Sequence, residues 1–372
     1  MFVAWRDLRF AKGRFALMGS VIVLITLLVG LLSGLTAGLG RQNTSAITGL
    51  PADRIAFQGA DGAPDVSYSD STVTEEQWQR WAGTPGVRRA EPLGITTTRA
   101  TAGDRSAAVS AFGVRPGSRL APAADHLDER SAVLSAAAAE DLGAGPGSTL
   151  TLAGQRLTVA AVEGDASFSH TPVVWTTLDV WRKAAPRSGA GEGRGAGDGT
   201  DRSPTATVIA LDTGPDVDTA ATDRAVGTRT LTKDDSLSAI GSYTSENGSL
   251  QLMRGFLFAI SALVVGAFFT VWTIQRSGDV AVLKALGAST AGLVRDSLAQ
   301  ALVLLAGGTA LGTGLAAALG ALVAGGAVPF LLTPATVLLP AAVTILLGAA
   351  GAGLSVRRIT SVDPLIALGS AR

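Results

Sequence analysis

The sequence predicts a membrane α-helical fold: four transmembrane helices, with a mixed α/β extracytoplasmic domain inserted between the first and the second. Three observations predict it. Charge-free runs of spanning length recur along the chain, basic residues gather beside them on one side only, and the stretch between the first two runs is polar. Composition agrees, because 47% hydrophobic and 16% charged residues depart from the balance of soluble proteins.

Residues 1–14 read as a cytoplasmic or interfacial segment and 15–40 as the first span. Phe15 to Gly40 carries no charge, and at about 1.5 Å per residue that run crosses a hydrocarbon core of roughly 30 Å with some tilt. It exceeds the roughly 7 to 15 apolar residues of a signal peptide and lacks a cleavage site, so it is read as retained. Residues 251–276 form the second span, rich in Phe256, Phe258, Phe268, Phe269 and Trp272. Ser297 to Val356 is again free of charge but too long for one helix. Gly325-Gly326, Pro329 and Pro334 break it into spans at 296–323 and 335–356, before a cytoplasmic tail at 357–372.

Orientation follows from Arg6, Arg9, Lys12 and Arg14 before the first span, Arg276, Lys284 and Arg295 between the second and third, and Arg357, Arg358 and Arg372 after the fourth. Ala324 to Pro334 has no basic residue, so both termini are expected in the cytoplasm of a bacterial cell, the chain being multi-pass in its cytoplasmic membrane. Residues 41–250 are then extracytoplasmic. There, Ser131 to Leu142 carries an alanine-rich helix signal ending at Gly143. Thr149–Leu152 and Arg156–Val162 alternate like strands around the turn Ala153-Gly154-Gln155. Val173–Trp175 and Thr207–Leu211 are further strand candidates, and 186–204, dominated by Gly, Ser and scattered charge, is expected to be a flexible loop.

Several chemistries are excluded. A formal net charge of +0 leaves no electrostatic footprint for nucleic acid, and the absence of cysteine removes thiolate catalysis and cysteine metal sites. No Gly-x-x-x-x-Gly-Lys-Ser/Thr occurs, so the chain lacks the backbone cradle and lysine that hold nucleotide phosphates. His126 and His170 show no His-Glu-x-x-His spacing, and there is no Gly-x-Ser-x-Gly. The reading is of a non-enzyme with no catalytic residue and no intrinsic cofactor.

Residues 277–291 read as a short amphipathic cytoplasmic helix. Ser277 caps it, Asp279 opposes the dipole, Val280, Leu283 and Leu286 recur at intervals of three beside Lys284, and Gly287 ends it. Such a helix is either a membrane-parallel connector or a docking element for a cytoplasmic partner. In the first span, Gly30, Gly34 and Gly38 recur every fourth position and suit close helix packing.

With these features, Gln275-Arg-Ser-Gly-Asp-Val-Ala-Val-Leu-Lys-Ala-Leu-Gly-Ala-Ser289 resembles the coupling segment of FtsX/MacB-type (type VII) ABC permeases, usually Arg-x-x-Glu-x-x-x-Leu-Lys/Arg-Ala-Leu-Gly-Ala. Asp279 stands where Glu is commoner. Trp5–Phe10 and Ser361–Leu368 extend the resemblance along the whole chain. It implies a homodimer in membrane lipid working over two copies of a separate cytoplasmic ABC ATPase, which binds the ATP, with Asp279, Val280, Leu283, Lys284, Leu286 and Gly287 coupling the two.

Ser167–Trp175 and Ser242–Met253 resemble the DevC-like branch, which contains haem export permeases. That resemblance implies haem as the substrate, taken laterally from the membrane, with Glu246 at the position of an iron ligand. If the second span extends outward as a stalk, Leu250 and Met253 share the face of Glu246, and Arg254 can meet a propionate. Tyr243 either lines that site or is an ordinary interfacial aromatic, and Glu246 itself can be no more than a solvated charge. His126 and His170 read as surface or capping residues, with a haem-ligand role for either as the less favoured alternative. The resemblance leaves two other roles open: an FtsX-like subunit transmitting force to a cell-wall hydrolase, and a MacB- or LolC-like exporter of peptides or lipoproteins.

Overall fold

The computed structural model describes residues 12–59, 66–185, 205–275, 278, 282, 287, 289–323 and 328–360. They fall into two compact units, one of Met1–Leu39 with Gly248–Arg372, the other Gly40–Asn247.

The membrane unit is helical. It contains most of α1 (Lys12–Thr48) and of α6 (Gly241–Gln275), all of α7 (Thr290–Val323), and α8 (Pro334–Thr360). All four are long and apolar enough to cross a membrane. Leu24, Leu28, Phe256, Leu263, Leu311 and Leu346 are exposed, as lipid-facing side chains must be when no water surrounds them. Inside, Met18, Ile22, Val265, Phe269, Ala301, Leu305 and Ala352 form a small core. The three recurrent glycines pack as their spacing suggests. A Cβ on Gly30 would stand 2.8 Å from Ala316 of α7, and Gly34 and Gly38 lie against Phe330 and Pro329 of the α7–α8 connector. The Leu331 N–H also donates to the Gly34 carbonyl at 3.1 Å, so this connector is tied to α1 by ring, backbone and hydrogen bond.

The outer unit is mixed α/β and takes in residues 40–48 of α1 and 241–247 of α6. Its strands in chain order are β1 (Arg54–Gln58), β2 (Val87–Ala102), β3 (Arg105–Val114), β4 (Ser131–Leu134), β5 (Thr149–Leu152), β6 (Gln155–Val162), β7 (Ser167–Phe168), β8 (Thr171–Thr177), β9 (Val208–Thr213) and β10 (Thr228–Thr232). The order across the sheet is β10-β1-β9-β2-β3-β8-β4-β6-β5. Pairing of β5 back onto β2 at Ala100 and Thr101 closes the last six strands on themselves. Ala100, Val109, Leu134, Leu150, Leu152, Leu157 and Val174 form the core of the closed set, with Ala138 and Leu142 of the short helix α3 (Ala136–Leu142). The long β2 makes the architecture possible: its first half pairs with β9 and its second with β3 and β5.

Three other short helices complete the layer. α2 (Glu75–Ala82) starts in a full capping box between Thr74 and Gln77. α4 (Leu178–Ala184) is capped by Thr177 and places Trp181 over Gly94 and Gly113, where an added Cβ would meet the indole at 2.3 Å and the Trp181 Cβ at 2.5 Å respectively. α5 (Thr219–Val226) packs beside β10 and ends at left-handed Gly227. A second core holds an aromatic chain of edge-on rings, Phe57–Tyr68–Phe168–Phe112–Trp175, with centroids 4.9 to 5.7 Å apart. Burial pushes the Tyr68 phenol above its ordinary range although it donates to Ser236 Oγ.

One local expectation is corrected. Ser131 to Leu142 is not a single helix: Ser131–Leu134 is strand β4, buried throughout, and the helix starts only at Ala136. Ser135 decides the boundary, since its hydroxyl accepts from the Ala138 N–H as an N-cap. Alanine propensity set no limit on the N-terminal side, whereas pairing with β6 and β8 did. The expected loop at 186–204 lies outside the described residues.

Candidate functional site

The site grows from a two-residue turn. β7 and β8 pair at Phe168 and Thr171, leaving Ser169 and His170 as the connection. A two-residue hairpin of type I′ needs positive φ at both central residues, which normally selects Asn-Gly. Here neither residue is glycine, yet φ is 50° at Ser169 and 63° at His170. Each such conformation costs on the order of 1–2 kcal/mol and persists only where its surroundings over-determine it.

The surroundings are the outer-unit ends of α1 and α6. The Ser169 N–H donates to the Asn43 carbonyl at 3.1 Å, and the His170 N–H to the Gln42 carbonyl at 3.2 Å. Those carbonyls lie in the penultimate turn of α1, and each has a second lone pair beyond its helical bond. Ser45 fixes the other end of the hairpin: its hydroxyl accepts from the Ser167 N–H at 2.8 Å and donates to the Ser167 carbonyl at 3.3 Å. An ion pair between Arg41 and Asp165 flanks them.

Held there, His170 Nε2 lies 2.9 and 2.8 Å from the two carboxylate oxygens of Glu246, in the second turn of α6. Asn43 Nδ2 reaches Glu246 Oε2 at 3.2 Å and stands 2.9 Å from the same imidazole nitrogen. A bare nitrogen lone pair facing a carboxylate is repulsive, so the geometry puts a proton on Nε2 and directs the Asn43 amide N–H to Glu246. Ser242 Oγ donates to Asn43 Oδ1 and lies 2.9 Å from Ser169 Oγ. Asn43 is buried, while His170 and Glu246 keep 30% and 40% of their side chains exposed. A carboxylate and an imidazole thus face each other from two elements, positioned from beneath and reachable from solvent.

Of the residues singled out in the sequence, Glu246 and Tyr243 belong to the outer unit, Tyr243 half-buried against the aromatic core. Met253 and Arg254 belong to the membrane unit. There Met253 is half-exposed, and Arg254 Nη2 stands 3.5 Å from Ser33 Oγ. His170 and Asn43, the two partners of Glu246, were not expected as site residues. The available signals were the Ser-His pair between two strand-like runs and the place of His170 inside the Ser167–Trp175 stretch that carried the resemblance. His126 is exposed, and its carbonyl accepts from Ser131 Oγ. Asp279, Val280, Leu283, Lys284 and Leu286 lie outside the described residues. Gly287 is described, exposed with φ +95°, a conformation that favours glycine.

Comparison with known proteins gives two family matches. The MacB-like periplasmic core domain matches residues 15–229, and the FtsX-like permease C-terminal region matches residues 252–364. The chain is similar to the hemin transport system permease protein HrtB of Staphylococcus haemolyticus, 24% identical over 376 residues that cover 99% of each chain. It is also similar to an uncharacterized ABC transporter permease of Mycobacterium tuberculosis, 24% identical over 383 residues and again 99% of each chain. Among solved structures, the periplasmic region of MacB from Actinobacillus actinomycetemcomitans covers 51% of this chain and 92% of its own, at 11% identity and a TM-score of 0.36.

Proposed function

The chain belongs to the family of ABC transporter permeases that join a MacB-like core domain to an FtsX-like C-terminal region, and from that premise we propose that it exports haem. In this reading the chain is the permease subunit, it works as a homodimer in membrane lipid with both termini cytoplasmic, and a separate ATPase supplies ATP hydrolysis through residues 277–291. Similarity to a hemin transport permease along 99% of both chains supports the choice of cargo. The observation that carries it is the pairing of Glu246 with His170. Ferric haem carries an iron that accepts oxygen and nitrogen ligands, and this pair offers one of each at a partly exposed position.

The chemistry required of the chain is modest. In this reading Glu246 binds the iron after giving up its contact with His170; the imidazole ligates through Nε2 only once that nitrogen has lost its proton to solvent, and otherwise reclaims the carboxylate on release. Asn43 holds Glu246 in place through that exchange, because its amide donates to one oxygen only. Haem tolerance of cells tests the reading. Glu246→Ala and Glu246→Gln should both lower tolerance at normal protein levels, since a neutral amide is a poor iron ligand of nearly the same size. Full tolerance in both variants would reject the assignment and favour a force-transmitting or peptide-exporting subunit.

A further inference from the structure

A second site adjoins the first within the outer unit, sharing Ser169 with it, and does not depend on haem. A cleft of about 310 Å³ opens there, within the size range of small-ligand pockets. Tyr68, Phe168 and Trp181 supply aromatic surface, Ser69, Thr72 and Thr96 supply hydroxyls, and no charged side chain among the described residues lines it. Trp181 is 3% exposed, and its indole N–H has no partner among the described residues. A buried donor left unpaired costs roughly 1–3 kcal/mol, which an acceptor on a ligand would recover.

The backbone of β2 gives the cleft its specificity. Ile95 turns its N–H and C=O away from β3: the N–H donates to Thr207 Oγ1 at 2.7 Å and the C=O accepts from that hydroxyl at 3.1 Å. The pairing with β9 has ended one step earlier, at Leu93 and Val208, and the pairing with β5 starts only at Ala100. Strand geometry repeats every two residues, so Thr97 points its N–H and C=O the same way as Ile95. Neither group has a partner among the described residues, and Thr97 lines the cleft. Arg99 points the same way but flanks the Ala100–Leu152 pair with β5, so the opening in the ladder is centred on Thr97, between the pairings with β9 and β5.

We propose that this cleft binds a short, extended, uncharged peptide segment of a partner protein, which completes the β2 ladder at Thr97 and places an apolar or aromatic side chain among Tyr68, Phe168 and Trp181. Strand addition draws its affinity from main-chain hydrogen bonds and its selectivity from the pocket for alternate side chains. Both parts are present here, and a charged side chain would lose hydration in the cleft without gaining a counter-ion.

The test uses the full chain in lipid nanodiscs and the capped peptide acetyl-Ser-Val-Phe-Val-Ser-amide, followed by titration calorimetry against empty discs. Saturable binding of one peptide per chain is expected. Thr97→Pro removes the open N–H while leaving the β3 pairing intact, and should weaken binding at least about tenfold. N-methylation of the peptide at its central Phe should do the same. Ala185→Trp, which fills the cleft from outside the sheet, provides a second variant should Thr97→Pro fail to accumulate. Absence of saturable binding up to about 1 mM would overturn the proposal. So would equal affinity of wild type and Thr97→Pro, or p-cresol competing fully with the peptide in Thr97→Pro, because the site would then hold small molecules without using the strand edge.

Discussion

His170 Nε2 lies 2.9 and 2.8 Å from the two oxygens of Glu246, though 76 positions separate the two residues. The contact joins the β7–β8 turn to the first turns of α6, and Asn43 of α1 completes it. Three segments distant in sequence therefore meet at one carboxylate.

That meeting has a stability consequence. His170→Ala loses the contact with Glu246 but keeps the left-handed backbone, so it should destabilise the outer unit by about 1 kcal/mol, a value discounted for the partial exposure of both side chains. His170→Gly loses the same contact but relieves the backbone, and should cost less than His170→Ala. Thermal unfolding of the two purified variants checks the order, and a larger loss in His170→Gly would contradict it.

The β5–β6 hairpin offers the same backbone argument without a side-chain contact. Ala153 has φ of 47° and Gly154 of 80° in the two-residue turn. Ala153→Gly should raise stability by roughly 0.5–1 kcal/mol, the left-handed penalty less the extra entropy of glycine in the unfolded chain. Calorimetry or chemical denaturation reads it directly, and a lower stability would mean that the turn is not strained.

In the membrane unit, Gly34 and Gly320 both face the ring of Phe330, where a Cβ would come within 2.3 and 2.1 Å. Gly34→Ala should therefore cost about 1–3 kcal/mol through overpacking. Gly314→Ala, with open space around it, should be neutral or slightly stabilising because alanine favours the helix. Thermal shift in detergent distinguishes the two, and equal melting temperatures would show that Phe330 moves aside freely.

Residues 277–291 carry the coupling prediction. If they dock the ATPase as proposed, replacing Leu283 and Leu286 by Asp sets unpaired charge into that contact while leaving the spans untouched. The cognate ATPase should no longer co-purify. Retained co-purification with retained export would remove residues 277–291 from the coupling role.

The spans and the inserted domain were legible in the sequence because both depend on local signals. Charge-free length marks a span, and Gly34 and Gly38 repeat at helical spacing whatever they touch. Glu246 was singled out through a resemblance; of its partners, His170 lay inside the Ser167–Trp175 stretch that carried it, while Asn43 gave no signal. Asn43 sits in a polar stretch with no pattern, and His170 looks like any turn residue until β7 and β8 bring it to α6. The closed strand set was hidden for the same reason: the return pairing of β5 onto β2 is set by the reach of a 16-residue strand, a non-local fact. Ser131–Leu134 was misread because alanine propensity ran into it from the following helix, and long-range pairing overrode propensity.

Haemin titrated into the permease purified with its cognate ATPase tests the central claim most directly. Haemin should stimulate ATP hydrolysis and shift the haem absorbance with the wild-type chain. Both responses should be lost in Glu246→Ala, while basal hydrolysis and co-purification persist, and the permease alone should hydrolyse nothing above background because it has no phosphate cradle. Unchanged stimulation and an unchanged spectrum in Glu246→Ala would contradict the assignment of Glu246 as the haem ligand.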